Sequence, residues 1–288
     1  MSSFHFFLIM LINLAWGFNF LAAKTAMDYF PPFLVLFFRF SLLLIILLPF
    51  LKIPKNKILP VSLLSFISGV LYFSINFLGL DLAGELTSPA IATQLFIPFG
   101  AILAFFFLRE KIKIKTWLAI FIAFLGVMIL GFDETVFDNL LSLLLITISA
   151  IPMAITTILM RKLKGVNTFQ IQAWTGLVAI IPYIFLSIIF EKDHWSLIIS
   201  APLEPVLSIL YSVIAASLIG HGLLYYLLTR YQVSLVNPML LLSPVFASFF
   251  GIFFRGDSLT WYLIIGGVLT LSGVAIISFG SKIDKKSF

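Results

Sequence analysis

The chain has 288 residues, of which 61% are hydrophobic and only 10% are charged, and its mean hydropathy is +1.16. About a quarter of the residues in an ordinary soluble domain are charged, so this composition excludes a water-soluble fold. The net charge of +6 lies in short clusters between apolar segments, which indicates membrane topology, and we expect no nucleic-acid partner. With no cysteine and three dispersed histidines, we also expect no metal ion and no cofactor.

Apolar runs recur along the whole chain, and each is about as long as the 20 residues that cross a bilayer core as a helix. Charged or Pro/Gly-rich breaks separate ten such runs. The predicted spans are residues 4–27, 33–51, 59–79, 87–107, 116–132, 140–160, 168–190, 205–228, 234–254 and 259–279. We therefore expect an all-α integral membrane protein with ten transmembrane helices.

Basic residues are concentrated in alternate loops, as the positive-inside rule requires of cytoplasmic segments. They are Lys52, Lys55 and Lys57 after the second span, Arg109, Lys111, Lys113 and Lys115 after the fourth, Arg161, Lys162 and Lys164 after the sixth, Arg230 after the eighth, and Lys282, Lys285 and Lys286 after the tenth. The loops between them carry mostly acidic residues. This alternation supports ten spans and predicts that both termini are cytoplasmic.

An internal repeat relates the two ends of the chain. Residues 125–130 (LGVMIL) and 272–277 (SGVAII) match, and an acidic residue, Glu110 or Asp257, precedes each at the same distance. The predicted halves are residues 1–136 and 137–288. Because each half has five spans, an odd number, the second half must be inverted in the membrane. Inverted repeats form two bundles that can rock about a midplane site, as alternating access requires; a duplication kept only for packing is the alternative.

The first span and the turn after it carry a recognisable set of motifs. Residues 16–20 (WGFNF) are followed by Lys24, by Pro31-Pro32 and by Arg39-Phe40. This opening resembles that of EamA-type carriers of the drug/metabolite transporter superfamily. In the second half, the stretches that resemble the eighth and ninth helices of that family are residues 220–222 (GHG), 230–231 (RY), 237–238 (NP) and 243–246 (SPVF).

The resemblance implies ten helices in two inverted five-helix halves, a multi-pass location in the bacterial inner membrane, and a monomer or weak homodimer. It also implies a secondary transporter that exports or exchanges amino acids or related small polar metabolites by alternating access. Import or exchange of a nucleotide-like metabolite such as S-adenosylmethionine is the alternative. The predicted partners are thus a small-molecule substrate and the lipid bilayer.

Two basic residues lie inside predicted spans. Arg39 is several residues into the second span, and Lys24 lies toward the same, external end of the first. A charge within a span costs about 2.5 to 3.5 kcal/mol on insertion scales, so it needs a partner, water or a function. Both can attract a carboxylate, Arg39 through a bidentate pair. Alternatively, Lys24 extends to the headgroups and Arg39 fixes helix packing.

Polar and aromatic side chains within the spans predict a substrate path. Its candidate residues are Asn19, Tyr72, Asn76 and Gln94 in the outer half, Ser217, His221, Tyr225 and Asn237 toward the inner half, and Trp16 and Trp174 as cavity walls. Interhelical hydrogen bonds, worth about 0.6 kcal/mol on average, are the alternative for the polar groups. Core packing is the alternative for the tryptophans.

His221 lies in the eighth predicted span, between Gly220 and Gly222. Imidazole titrates in a range that suits proton coupling, whereas the flanking glycines equally indicate a point of close helix packing. Near the middle of the spans no carboxylate occurs, and proton relays and cation sites normally use such acids. The sequence therefore favours neutral, zwitterionic or anionic solutes over organic cations.

Two other classes of membrane protein are weighed against a carrier. A membrane-embedded enzyme should carry a catalytic signature, and the sequence contains no His-Glu-x-x-His, no phosphate-binding glycine loop and no Gly-x-Ser-x-Gly. A structural or sensory protein would need neither an inverted duplication nor an arginine within a span. We therefore predict a transporter and not an enzyme.

Overall fold

A computed structural model of the protein describes residues 3–54, 56–108, 113–163, 165–231 and 236–280, and these residues form helices without any strand. The main helices are α1 (Ser3–Met27), α2 (Pro32–Leu47), α3 (Ile58–Asp81), α4 (Thr87–Phe107), α5 (Ile114–Leu130), α6 (Leu140–Lys162), α7 (Thr168–Phe190), α8 (Leu203–Leu227), α9 (Leu242–Arg255) and α10 (Trp261–Gly280). Short helices at Glu134–Phe137 and His194–Ile199 lie in loops. Each predicted span thus contains a helix.

Within the described ranges, seven helices are long and apolar enough to cross a membrane, namely α1 to α4 and α6 to α8. Three shorter apolar segments, Ile114–Leu130, Met239–Arg255 and Trp261–Ile276, belong to α5, α9 and α10. Large apolar side chains cover the outside of the bundle; Phe107 and Phe253, for example, are 77% and 74% exposed. Such a surface is stable against lipid and unstable against water.

Local sequence explains several helix ends. Pro32 opens α2 after the extended residue Pro31, because proline lacks the N–H that the first turn leaves unpaired. The side chain of Asn167 accepts a hydrogen bond from the Phe169 N–H at 2.8 Å and so caps α7. Gly256 ends α9 at φ +73°, in the left-handed region that favours glycine.

The packing of the helices follows the repeat. The most extensive contacts join α5 with α10 and α2 with α7, so each of these helices packs on its own counterpart five positions along. Likewise α1 packs on α8 and α9, while α6 packs on α3 and α4. The contacts of α1 in the first half thus correspond to those of α6 in the second half. A pseudo-twofold relation between two copies of one five-helix unit requires this correspondence.

Small residues bring α5 and α10 into direct backbone contact. A Cβ added at Gly126 would lie 2.5 Å from the Thr270 nitrogen and 2.7 Å from the Gly266 oxygen. At Gly273 a Cβ would lie 2.6 Å from the Ala119 oxygen. Helices in a membrane associate through such close packing because lipid provides no hydrophobic drive to bring them together.

The helices nearest the centre of the bundle are irregular. A π-helical segment interrupts α3 at Ile67–Tyr72, and a longer one occupies Ser212–His221 in α8, the counterpart of α3. A turn at residues 94–95 divides α4, and a 3-10 turn, Asn237–Leu241, precedes its counterpart α9. Irregular backbone at membrane depth is tolerated where it is enclosed by protein or lines a cavity. The irregularities therefore point to the middle of α3, α4, α8 and α9.

Candidate functional site

A cavity in two lobes lies among these irregular segments. The first, the Arg39 lobe, is lined by Trp16, Asn19, Arg39, Asn76, Gln94 and Ser243, among others. The second, the Gln172 lobe, is lined by residues that include Ser68, Thr156, Gln172, Ser217 and Tyr225. Tyr72, Phe73, Met153 and His221 line both lobes; we call these four residues the collar.

The lobes are stacked along the bundle. The Arg39 lobe reaches Leu80, next to the end of α3, whereas the Gln172 lobe reaches the first turns of α7. In the topology predicted from the basic loops, the Arg39 lobe is nearer the external face and the Gln172 lobe nearer the cytoplasm. Of the predicted outer group, Asn19, Asn76 and Gln94 line only the Arg39 lobe, and of the inner group, Ser217 and Tyr225 line only the Gln172 lobe.

Arg39 on α2 is among the largest fully buried side chains, with 1% of its surface exposed. Its Nε and Nη2 atoms donate to the Ser217 hydroxyl at 3.0 and 2.9 Å, and the guanidinium carbon lies 4.6 Å from the centre of the Phe73 ring. Its Nη1 atom is buried without a hydrogen-bond partner. Among the described residues, no carboxylate forms an ion pair with it. A neutral hydroxyl and an aromatic face leave most of the charge uncompensated.

Other polar atoms around the Arg39 lobe also lack partners within the described part of the chain. They are Asn19 Oδ1, Gln94 Oε1 and His221 Nδ1. Buried polar atoms are normally hydrogen-bonded, so an unpaired set around one cavity indicates a ligand or water. Asn76, by contrast, donates to the Ser149 hydroxyl at 3.2 Å. The lobe thus presents an unpaired cationic donor and unpaired acceptors to the same space.

Aromatic contacts fix the π segment of α8. The Trp16 indole donates to the Ala216 carbonyl at 3.2 Å, and its ring meets the His221 ring at 5.0 Å between centres. Gly220 permits this approach, since a Cβ there would lie 2.9 Å from Trp16 Cδ1. Tyr225 stacks on His221 at 6.1 Å. His221 therefore has both environments that the sequence indicates, a close packing point and a cavity wall, and its part in proton coupling stays a prediction.

Of the predicted path residues whose side chains are described, Lys24 and Trp174 do not line the cavity. Lys24 donates to the backbone carbonyl of Asp81 at the end of α3, and the Trp174 indole donates to the Lys52 carbonyl at 3.0 Å, beyond the end of α2. Asn237 begins the 3-10 turn before α9, and its side chain lies outside the described residues. The other nine candidates line one or both lobes.

Gln172 and Ser243 line the cavity and were not predicted from the sequence. With its amide oriented so that both atoms find partners, Gln172 donates to the Ser217 carbonyl at 2.9 Å and accepts from the Gly222 N–H at 3.1 Å, so it supports the π segment from α7. The sequence does contain a signal for this role, because Gln172 is a polar amide within the apolar run 168–190. The sequence signal for Ser243 is weaker and consists only of its position directly before Pro244 within a predicted span.

At the end of the bundle nearest the Arg39 lobe, polar contacts join the two halves. Arg255 forms an ion pair with Asp28 at 2.7 Å, and Asp257 accepts from the Leu86 N–H at 2.8 Å. Next to it, Glu85 accepts from the Ser88 N–H at 2.9 Å, while burial raises the pKa of the Glu85 carboxyl. These contacts tie the ends of α1 and α9 and the start of α4 together.

Comparison with known proteins gives a consistent result. The family model described as "EamA-like transporter family" matches residues 3–132 and 140–279. The "Probable amino-acid metabolite efflux pump" of Escherichia coli (strain K12) is 27% identical over 96% of this chain and 95% of its own length. The "S-adenosylmethionine/S-adenosylhomocysteine transporter" of Chlamydia muridarum (strain MoPn / Nigg) is 28% identical over 88% of this chain and 84% of its own length.

A solved crystal structure shares the fold, with a TM-score of 0.67 at 18% identity over 96% of both chains. At that identity the likeness concerns the fold alone. The family match, however, extends over both halves of the sequence. The chain therefore belongs to the EamA-like transporter family and is a multi-pass membrane transporter for a small molecule.

Proposed function

We propose that this protein is a secondary carrier that exports or exchanges amino acids, or closely related metabolites with a free carboxylate, across the bacterial inner membrane by alternating access. The observation that carries the proposal is the buried guanidinium of Arg39, a side chain that lines the Arg39 lobe and has an unpaired Nη1 atom and no carboxylate partner among the described residues. An isolated buried charge is costly, and a substrate carboxylate supplies the missing partner through charge-assisted hydrogen bonds.

The acceptors in the same lobe suit the other end of a zwitterion. Asn19 Oδ1 and Gln94 Oε1 are buried and unpaired, and an ammonium group offers three donors and no acceptor. In the spans, no carboxylate lines either lobe within the described residues, so a substrate with a net positive charge finds no compensation. An α-amino acid head group matches both sets of unpaired atoms.

The whole arrangement that we propose has ten spans in two inverted halves, residues 1–136 and 137–288, with both termini in the cytoplasm. The alternation of basic loops and the exchange symmetry of the helix contacts support it. The three shorter apolar helices each coincide with a predicted span. A span shorter than the bilayer core can still cross it, because local thinning of the bilayer and flanking side chains that reach the headgroups accommodate the mismatch at modest cost.

The relative named as a probable amino-acid metabolite efflux pump supports the leading substrate class. The chlamydial relatives favour a second candidate, S-adenosylmethionine or its demethylated product. One structural observation supports this candidate, because the Gln172 lobe extends the cavity beyond the atoms that match the head group. Both substrate classes carry the same α-amino carboxylate, so the head-group proposal applies to either.

Counterflow into liposomes that contain the purified protein tests this function. Vesicles preloaded with one unlabelled compound are scored for accumulation of the same compound in labelled form, and S-adenosylhomocysteine is one of the compounds tested. We expect accumulation with free amino acids and none with their methyl esters, which keep the side chain and ammonium and lose the carboxylate. Equal counterflow with esters, or with organic cations that lack a carboxylate, would reject the proposal. Accumulation with S-adenosylhomocysteine alone would select the second candidate.

Gln94 provides a test of the ammonium contact. The Gln94→Leu variant removes an acceptor at the break in α4 and keeps the volume of the side chain, so we expect the KM for an amino acid to rise about tenfold, as for a lost hydrogen bond to a charged group. Transport of the matching compound without the amino group should change little. A similar loss for both compounds would assign Gln94 to helix packing instead.

A further inference from the structure

The hydrogen bonds between Arg39 and Ser217 lie across the boundary between the two lobes. Arg39 lines the first lobe, whereas Ser217 lines the second. Nε and Nη2 of the guanidinium both donate to the Ser217 hydroxyl, at 3.0 and 2.9 Å. The contact also joins the two halves of the protein, because Arg39 belongs to α2 and Ser217 to α8. Together with the collar it forms the partition between the lobes.

Ser217 is held in a position that suits this contact. It lies in the π segment of α8, and its carbonyl accepts a hydrogen bond from the Gln172 amide. The side chain is buried, with 2% of its surface exposed. Two donors therefore converge on the single neutral oxygen of a buried side chain.

A hydroxyl is a weak substitute for the natural partner of a guanidinium. A carboxylate offers two oxygens in the plane of the fork and a full negative charge, so its hydrogen bonds to arginine are shorter and about twice as strong. The Nη1 atom is left unpaired by Ser217 and belongs to a side chain that lines the Arg39 lobe. A carboxylate arriving there competes with Ser217 for the guanidinium.

We propose that Ser217 is a positioning residue that latches Arg39 across the partition in the empty carrier, and that the carboxylate of the substrate releases this latch. The inference rests on the proposed function, since it needs a substrate with a carboxylate. In the empty protein the latch joins α2 to α8 and keeps the path between the lobes closed. Once the carboxylate takes the guanidinium, the partition opens and the loaded carrier changes state.

A carrier of this kind exchanges substrates faster than it moves them in one direction, because net flux requires the empty, latched protein to change state. A ligand shifts a conformational equilibrium only through its different affinity for the two states. Here the difference arises because the guanidinium is bonded to Ser217 in one state and to the carboxylate in the other.

The first test compares exchange with net efflux in liposomes. For Ser217→Ala we expect the ratio of exchange to net efflux to fall about fivefold or more, the lower end of typical coupling energies. Ser217→Thr keeps the hydroxyl and should keep the wild-type ratio. Ser212→Ala, which removes a buried hydroxyl from the same segment without touching either lobe, is the matched control. An unchanged ratio in Ser217→Ala would overturn the latch.

The second test needs no substrate and uses the absence of cysteine from the chain. A Thr156→Cys reporter lies in the Gln172 lobe, and a membrane-impermeant maleimide is added on the side of the membrane that faces Glu85. We expect Ser217→Ala to raise the rate of labelling about fivefold or more relative to the reporter alone, with Ser217→Thr unchanged. Equal rates in all three would contradict the latch. If Ser217→Ala does not fold, Ser217→Gly takes its place in both tests.

The two proposals fail in distinguishable ways. A carboxylate requirement in counterflow together with an unchanged exchange ratio and labelling rate would reject the latch and leave the proposed function standing. Counterflow with methyl esters would reject the carboxylate substrate and, with it, the release of the latch by substrate. Faster labelling in Ser217→Ala would then still show that the contact between Arg39 and Ser217 closes the partition without substrate.

Discussion

Arg39→Gln should abolish counterflow of amino acids and at the same time leave the protein folded with unchanged or higher thermal stability. The variant removes a buried charge that only a hydroxyl and aromatic rings accompany, and an uncompensated charge in a span costs about 2.5 to 3.5 kcal/mol. Glutamine can still donate to Ser217. Loss of transport without loss of stability is the signature of a residue that meets the substrate.

Arg39→Lys gives a graded version of the same test. Lysine keeps the charge and loses the planar fork, so we expect weak transport with a KM raised about tenfold or more. Arg255→Gln is the control for removing an arginine, because Arg255 pairs with Asp28 where both side chains are partly exposed. Such a pair contributes at most about 1 kcal/mol, and transport should stay near wild type. Misfolded Arg39→Gln together with stable Arg39→Lys would assign Arg39 to packing.

The second large effect is expected at the contact between α5 and α10. Gly126→Ala should strongly reduce the yield of folded protein, because the new Cβ would lie 2.5 Å from the Thr270 nitrogen and 2.7 Å from the Gly266 oxygen. Both atoms belong to the backbone, so the two helices must move apart. Overpacking in a core costs about 1 to 3 kcal/mol or more, and here it also breaks the most extensive helix contact.

Gly100→Ala is the matched control for this substitution. Gly100 lies in α4, and a Cβ there would meet nothing within 4 Å. In a helix alanine is favoured over glycine by about 1 kcal/mol, so we expect equal or greater stability. Thermal unfolding in detergent, followed by size-exclusion chromatography, measures both variants. Equal melting temperatures for Gly126→Ala and wild type would contradict the close packing of the two helices.

The positions of the helices could be predicted from the sequence because bilayer thickness sets the length of each apolar run, and loop charge marks each boundary. The predicted run 168–190 and the helix Thr168–Phe190 agree at both ends. Composition alone does not predict a π segment, since Ile67–Tyr72 contains no proline and only one glycine. Its backbone is set by the packing of α3 against α6 and α7.

The candidate site could be predicted in part. Arg39 is conspicuous in an apolar run, and its burial follows from the cost of exposing a guanidinium to lipid. The sequence does not show that its hydrogen-bond partner is Ser217, 178 positions away, because that contact depends on how α2 meets α8. Trp174 was predicted as a cavity wall, but its indole points to the Lys52 carbonyl instead, a direction that is set by where α2 ends.

The tightly packed pair α5 and α10 contributes no described residue to the lining of either lobe. In the alternating-access cycle that we propose, α5 and α10 therefore keep their contact with each other, and the other eight helices move relative to this pair. A covalent cross-link between α5 and α10 should therefore leave the rate of transport unchanged, whereas a cross-link between α1 and α9 should abolish transport.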